Sequence, residues 1–217
     1  MNSVIRYIEE NKFGALFMLF GIMLQIFSFY YTNSSYISLL SGITGIISVV
    51  LCAQRKISFY TFGFIQLLTY VILCIQQNLY AEIAENIFYA ITMIYGIFVW
   101  IKHKDNNDDS KVKAKQLKLG SLTFIYILGL LATLGLWMFL RTTNDSQPFM
   151  DSITTIPAII AQILMILAYK EQWYFWLIID IGSIFMWAIA NDWNMVAQFV
   201  FWTMNCLYGL KNWKYAV

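Results

Sequence analysis

The chain of 217 residues is too apolar for a water-soluble protein, since 60% of its residues are hydrophobic and only 12% are charged. Soluble domains average about 25% charged residues, and one core cannot hide this much apolar surface from water. The net charge of +2 says little by itself, and no nucleic-acid partner is expected. The composition predicts an all-α polytopic membrane protein whose solvent is the lipid bilayer.

Eight apolar segments of roughly 17 residues or more predict eight transmembrane helices. An extra N-terminal helix covers 12–31, and a first group of three helices lies within 36–101, at 36–53, 57–76 and 81–101. A solvated linker is predicted at 102–118, a linking helix at 119–140 and a polar loop at 141–152. A second group of three helices lies within 153–213, at 153–169, 172–190 and 194–213. Pro157 is expected near the start of its helix, where its missing N–H costs little. All eight helices are expected to form a single integral membrane domain, 1–217.

The first group of three helices is repeated in the second group. Tyr95-Gly96-x-x-x-Trp100 returns as Tyr208-Gly209-x-x-x-Trp213, at an offset of 113 in the numbering. Further towards the N-terminus the best side-chain matches have an offset of 114, and they pair Lys56 with Lys170, Phe59 with Trp173 and Gln66 with Asp180. Such a duplication predicts two parallel three-helix repeats in a 3-1-3 arrangement, related by rotation about the membrane normal, with the first helix outside them.

Lysine and arginine predict the orientation of these helices. With the N-terminus inside, thirteen of the fourteen positive residues fall on one side, and the exception is Arg141. The positive-inside rule places both termini and 102–118 in the cytoplasm and 141–152 outside. The expected location is the inner (plasma) membrane, which the chain crosses several times.

The seventh segment carries an aromatic and polar stripe, in which the spacings 3, 4, 3 and 4 place Trp173, Trp176, Asp180, Ser183 and Trp187 on one helix face. A carboxylate within a span is expensive and usually faces a cavity or a partner helix. We interpret Asp180 as facing a ligand, with the two nearest tryptophans offering flat surfaces to a ring or a cation. The alternative is a carboxyl group held between helices.

Further polar side chains lie deep in other segments, where each either lines a cavity or joins helices by hydrogen bonds. They are Gln66 of segment three, Glu85, Asn86 and Tyr89 of segment four, Gln162 of segment six, and Gln198 and Asn205 of segment eight. Together with Trp173, Trp176 and Asp180 they are the predicted substrate-binding residues. Gln25, outside the repeat, is assigned to helix contact.

Several motifs recur along both halves of the chain. The first half has Lys56-Ile-Ser-Phe-Tyr-x-Phe-Gly63-Phe-Ile-Gln66, then Leu79-Tyr80-Ala81 and Tyr95-Gly96-x-x-x-Trp100, and the second half adds Trp173-x-x-Trp176-x-x-x-Asp180. Over about 36–215 the chain resembles the nicotinamide riboside transporter family, PnuC. The resemblance implies a fold similar to the SWEET sugar facilitators, energy-independent uptake of nicotinamide riboside, and trapping of the substrate by a cytoplasmic kinase. It also implies that the vitamin site is lined by Gln66, Trp173, Trp176, Asp180 and Asn205.

The substrate is left open between nicotinamide riboside and another vitamin or nucleoside, such as thiamine or riboflavin. Nicotinamide riboside and thiamine both contain a cationic ring that suits Asp180, a position where many family members carry Asn. The oligomeric state, including a homo-oligomer, is also open.

Two other classes of protein are disfavoured by the sequence. A membrane enzyme needs a nucleophile–base pair or metal ligands, but the only histidine, His103, lies in a charged loop. Cys52, Cys74 and Cys206 lie inside apolar segments without paired spacing, so we expect free buried thiols. No catalytic residue, metal or cofactor is therefore expected. An ion channel would need a filter sequence or a ring of charges, and no filter stretch is visible.

Overall fold

The computed structural model describes residues 11–76, 80–143, 148–189 and 193–214. These residues form eight α-helices: α1 (Lys12–Thr32), α2 (Tyr36–Ala53), α3 (Phe59–Gln76), α4 (Tyr80–Lys102), α5 (Leu119–Leu140), α6 (Pro148–Ile166), α7 (Gln172–Ile189) and α8 (Trp193–Lys214). All eight predicted segments are confirmed as helices, although not all as membrane spans. In the described part of the chain seven of them, α1 to α7, are long and apolar enough to cross a membrane. Helix α8 is 22 residues long but less apolar, because it contains asparagines, a glutamine and lysines.

The start of α6 differs from the prediction, which placed a polar loop at 141–152 and the start of the helix at 153. The helix begins at Pro148, so Pro157 lies inside it, and the expectation that Pro157 is near the start is wrong. The hydroxyls of Ser152 and Thr154 donate to the carbonyls of Pro148 and Met150, at 2.6 and 3.0 Å. These bonds let polar residues that resemble a loop in sequence continue the helix. Pro157 has no N–H for the carbonyl four residues earlier, which weakens the helix at that point.

The chain divides into two compact units, Met1–Val112 and Lys113–Val217. The first unit contains α1 to α4, in which α2 packs against α1 and α3, and α3 packs against α4. The second unit contains α5 to α8, in which α6 packs against α5 and α7, and α7 packs against α8. In each unit, therefore, helices that follow one another in sequence are packed side by side.

Small residues on α2 allow its neighbours to approach closely. Ser48 donates to the carbonyl of Phe59 at 3.1 Å. A Cβ added to Gly42 would lie 2.9 Å from Cδ of Gln25, so this side chain rests on the glycine. Close packing of this kind, with hydrogen bonds from hydroxyls, is what holds helices together in lipid. It agrees with the assignment of Gln25 to helix contact.

The turn between α2 and α3 has the same backbone hydrogen bonds as the turn between α6 and α7. Arg55 and Ala168 both have positive φ, 63° and 62°. The next amide in each turn donates five residues back, from Lys56 to Leu51 at 2.9 Å and from Tyr169 to Leu164 at 2.8 Å. Each residue of the first turn thus matches the residue 113 positions later in the second turn. The first and last residues of α3 match those of α7 at the same offset.

This register corrects part of the sequence comparison. The offset of 114 around Lys56 and Lys170 is wrong in this turn, since the backbone pairs Lys56 with Tyr169. Because α3 and α7 are continuous helices of 18 residues each, the same register carries along them. The counterpart of Trp173 is then Tyr60, and that of Asp180 is Leu67.

The polar linker after α4 is paired with the turn of its own unit. In the first unit, the Val112 amide donates to the Arg55 carbonyl at 2.9 Å, and the Arg55 guanidinium contacts Asp105 at 2.8 Å. Hydrogen bonds from this guanidinium and from the Asn107 amide lower the pKa of Asp105. In the second unit, the Lys115 amide donates to the Ala168 carbonyl at 2.8 Å. The prediction of a solvated linker therefore fails for Val112 and Ala114, which are buried.

Candidate functional site

The predicted stripe on α7 is the inward face of that helix in the second unit. Trp173, Asp180 and Ser183 are buried, and Trp176 and Trp187 are half-buried. The opposite face exposes apolar and aromatic side chains at Tyr174, Ile178, Ile181 and Phe185. The spacing of the stripe thus identified correctly which side of α7 faces its neighbours.

Asp180 is the carboxylate at the centre of this face. Its side chain is 3% exposed, and its Oδ2 accepts a hydrogen bond of 3.1 Å from the Cys206 thiol of α8. Asn205, the preceding residue, is also buried. The structure therefore places Asp180 of α7 in contact with α8 at Cys206, the residue next to Asn205.

From the sequence, Cys206 was expected only to be a free buried thiol, with no role at the site. At the offset of 113, its counterpart in the first unit is Met93, and the counterpart of Asp180 is Leu67; both are buried apolar residues. A pair that is apolar in one unit is therefore polar in the other. At the correct offset, the replacement of two apolar residues by two polar ones was the sequence signal that Cys206 and Asp180 are in contact.

Trp173 is a packing residue in this structure. It is 3% exposed and meets Trp213 edge-on, with 6.1 Å between ring centroids. Its counterpart Tyr60 meets Trp100 in the same edge-on manner at 5.4 Å. A Cβ added to Gly209 would lie 2.5 Å from the Trp173 ring, so the ring lies directly on the backbone of α8.

Trp176 is more accessible than Trp173. It is half-buried and packs against a cluster of Ala161, Leu164 and Phe175. It lies one helical turn before Asp180, on the same face. Of the two predicted tryptophans, Trp176 is the one that is not fully buried.

The other predicted residues are divided between the two units. In the first unit, Asn86 is buried, Gln66 is half-buried, and Glu85 is exposed and accepts a hydrogen bond of 2.6 Å from the Tyr89 hydroxyl. In the second unit, Gln162 of α6 is buried and Gln198 of α8 is half-buried. Among the described residues there is no group of three or more His, Cys, Asp or Glu side chains that could hold a metal ion.

Apolar helices that keep a carboxylate and several amides inside their spans are typical of membrane transporters, where such groups mark substrate pathways. The fold and the site thus define an integral membrane protein of the transporter class.

Comparison with known proteins identifies the family. The sequence profile of the nicotinamide mononucleotide transporter family matches residues 35–215, and the chain belongs to this family. It is 33% identical to the nicotinamide riboside transporter PnuC of Haemophilus influenzae, over 94% of this chain and 90% of that protein. It is 29% identical to the nicotinamide riboside transporter PnuC of Neisseria mucosa, over 94% and 81% respectively.

A solved structure agrees with these sequence matches. The crystal structure of a vitamin B3 transporter PnuC superposes with a TM-score of 0.80 at 29% identity, covering 94% of this chain and 92% of that one. The family predicted from the sequence motifs is therefore confirmed, and it is a family of transporters.

Proposed function

We propose that this protein carries nicotinamide riboside into a bacterial cell by facilitated uptake across the inner membrane. The observation that carries the proposal is the match with relatives named for this activity, which extends over 94% of the present chain and 90% of the Haemophilus influenzae protein. A shared name over a fragment would support only a common fold. Here the sequence match covers nearly all of both chains.

The proposed recognition site combines Trp176, Asp180 and Asn205. Nicotinamide riboside has a positively charged ring, which would stack on the accessible surface of Trp176. The charge of the ring would face Asp180 one turn further along α7, and Asn205 would bind polar groups. Stacking contributes roughly 1–3 kcal/mol by analogy with base–aromatic contacts. The ionic contact gains strength from burial, but both charges must first lose water, so we assign it a role in selectivity.

The remaining predicted residues are proposed as lining of the substrate path rather than as direct ring contacts. They are Gln66, Glu85, Asn86, Tyr89, Gln162 and Gln198. Trp173, packed on Gly209 and Trp213, is proposed to fix the start of α7 and hence the position of Trp176.

We propose a 3-1-3 architecture, in which α2–α4 and α6–α8 are parallel repeats within one membrane domain and α1 is an addition. The constant offset between equivalent turns supports it. Both termini are proposed to be cytoplasmic because thirteen of fourteen positive residues then lie inside. Phosphorylation by a cytoplasmic kinase would trap the substrate, so the protein needs no chemistry of its own.

A second candidate substrate is thiamine, because Asp180 suits any cationic ring of similar size. Riboflavin, whose ring system is neutral, is the alternative that Asp180 favours least. The Asp180→Asn variant separates the two cationic candidates from riboflavin, since loss of the carboxylate should lower the affinity for cationic substrates relative to that for riboflavin.

The deciding experiment is uptake into liposomes that contain the purified protein and no energy source. We expect saturable equilibration of radiolabelled nicotinamide riboside, which an excess of unlabelled nicotinamide riboside blocks. Thiamine, riboflavin and nicotinamide mononucleotide serve as competitors. Mass spectrometry of the internal substrate should find it unchanged, as expected of a carrier that is not an enzyme. Equilibration of thiamine but not of nicotinamide riboside would refute the proposal.

A further inference from the structure

A cavity of about 410 Å³ lies in the second unit where α8 ends and α7 begins. It is lined by Lys170, Tyr174, Leu210, Lys211 and Lys214. Lys170 precedes α7, Tyr174 lies in its first turn, Leu210 lies near the end of α8, and Lys211 and Lys214 lie in its last turn. The polar lining thus consists of three ammonium groups, each with three hydrogen-bond donors, and one phenol.

The charge of these lysines is not balanced within the part of the chain that the structure describes. The ion pairs recorded there are Arg55–Asp105 and Asp108–Lys111, and neither includes a lysine of the cavity. The carboxylate nearest in sequence, Glu171, is 2% exposed, and its Oε2 has no hydrogen-bond partner among the described residues. Three like charges around one cavity repel each other, so the cavity favours an anion.

A simpler account is that lysines at a helix C-terminus interact favourably with the helix dipole. The first unit tests this account, because it has the same helices and the same turn in the register established above. The positions equivalent to the cavity lining are there Ile57, Thr61, Ile97, Phe98 and Ile101. The last turn of α4 contains a single lysine, Lys102. The framework and its dipole therefore do not require the three lysines, which belong to the second unit alone.

We propose that this cavity is a binding site for an organic phosphate. A phosphate ester offers one or two negative charges and several acceptor oxygens, which match three lysines as point charges and the Tyr174 hydroxyl as a donor. The volume exceeds what a phosphate group alone needs, and Leu210 gives the ester's organic part an apolar contact. The phosphate group can come from an anionic phospholipid or from a soluble phosphate. Its lining does not include Trp176, Asp180 or Asn205, and the site does not depend on which vitamin is carried.

The test compares two triple variants that remove the same charge. The cavity variant is Lys170→Gln/Lys211→Gln/Lys214→Gln. The control is Lys102→Gln/Lys104→Gln/Lys118→Gln, which replaces exposed lysines that do not line the cavity. Thermal unfolding in detergent is measured with sodium phosphate against sodium chloride at equal ionic strength. Native mass spectrometry counts the phosphatidylglycerol retained after release from bilayers of phosphatidylglycerol and phosphatidylcholine.

We expect the wild type and the control to bind either phosphate or phosphatidylglycerol. The cavity variant should bind the same ligand at least tenfold more weakly. Stabilisation by phosphate identifies a soluble ligand, whereas retention of phosphatidylglycerol identifies the lipid. Equal behaviour of all three proteins in both arms would overturn the proposal. If the triple variant does not fold, the single variant Lys211→Gln, at an exposed position, decides between the same outcomes with a smaller effect. Neither readout uses nicotinamide riboside, so the result is independent of transport.

Discussion

The contact between Trp173 and Gly209 allows a sharp test of the second unit. In Gly209→Ala the new methyl carbon would lie 2.5 Å from Cε2 and Cζ2 of the indole and 2.7 Å from Cδ2. Such distances require the ring or the helix to move. Trp173 also meets Trp213 edge-on, one turn further along α8, and this second contact resists a movement of the ring. Overpacking of this kind costs about 1–3 kcal/mol, while alanine in place of a helical glycine gains up to about 1 kcal/mol.

The net expectation is a loss of about 1–2 kcal/mol. For a chain of this size that corresponds to a fall of roughly 2–8 °C in the unfolding midpoint. Thermal unfolding in detergent, followed by tryptophan fluorescence, measures it. Gly135→Ala is the matched control, because a Cβ there meets nothing within 4 Å, and it should leave the midpoint unchanged or raise it.

A double-mutant cycle adds a second check. Trp173→Phe makes the ring that the new methyl group meets smaller, so Gly209→Ala should cost less in that background. If Gly209→Ala melts at or above the wild-type temperature, the proposed packing of α7 on α8 is refuted.

The remaining predictions concern the site, the linker and the topology. Trp176→Ala should weaken the binding of nicotinamide riboside about tenfold in a titration of purified protein, since about 1.4 kcal/mol corresponds to one decade; wild-type affinity would exclude stacking there. Asp180→Asn should keep measurable binding of nicotinamide riboside, as the Asn of many family members implies, but lower its preference over riboflavin in the same titration; an unchanged preference would exclude a role of the carboxylate in selectivity. The lowered pKa of Asp105 means that its ion pair stabilises the protein above the ordinary carboxylate pKa and is lost as the pH falls through the lowered value. Asp105→Asn should therefore cost up to about 1 kcal/mol at pH 7, a difference in melting that disappears in acid; a difference that persists in acid would refute this cause. An impermeant reagent added to intact cells should label a cysteine introduced at Ser146, which is expected outside, but not one introduced at Asp108, which is expected in the cytoplasm. Labelling of Asp108→Cys alone would show that the topology is the reverse of the proposed one.

The helices were predictable because each is a long apolar segment bounded by polar residues, and this pattern alone determines spans in a bilayer. The family followed from motifs on α3, α4 and α7. The early start of α6 was not predictable in this way. Asp151, Ser152 and Thr154 have the composition of a loop, yet all three lie inside α6, where the hydroxyls of Ser152 and Thr154 bond to earlier carbonyls.

The register of the repeat was mistaken because side-chain similarity and backbone geometry disagree near the turn. Two lysines and several aromatic residues match at an offset of 114, whereas the residues with positive φ are Arg55 and Ala168. Neither is a glycine, so the sequence carries no mark of the left-handed turn. The error hid the pairing of Asp180 with Leu67, and with it the significance of Cys206.

The hydrogen bond between Tyr89 and Glu85 has a consequence for biosynthesis. At about 5–20 residues per second, the ribosome needs roughly 6–23 seconds to make the stretch of chain that separates equivalent points of the two units. During that interval the first unit meets the bilayer before the second has been synthesised. The Tyr89 hydroxyl reaches Glu85 within a single helix, so this carboxylate gains a partner as soon as α4 forms. A nascent chain can therefore accommodate Glu85 without help from the half that has yet to be translated.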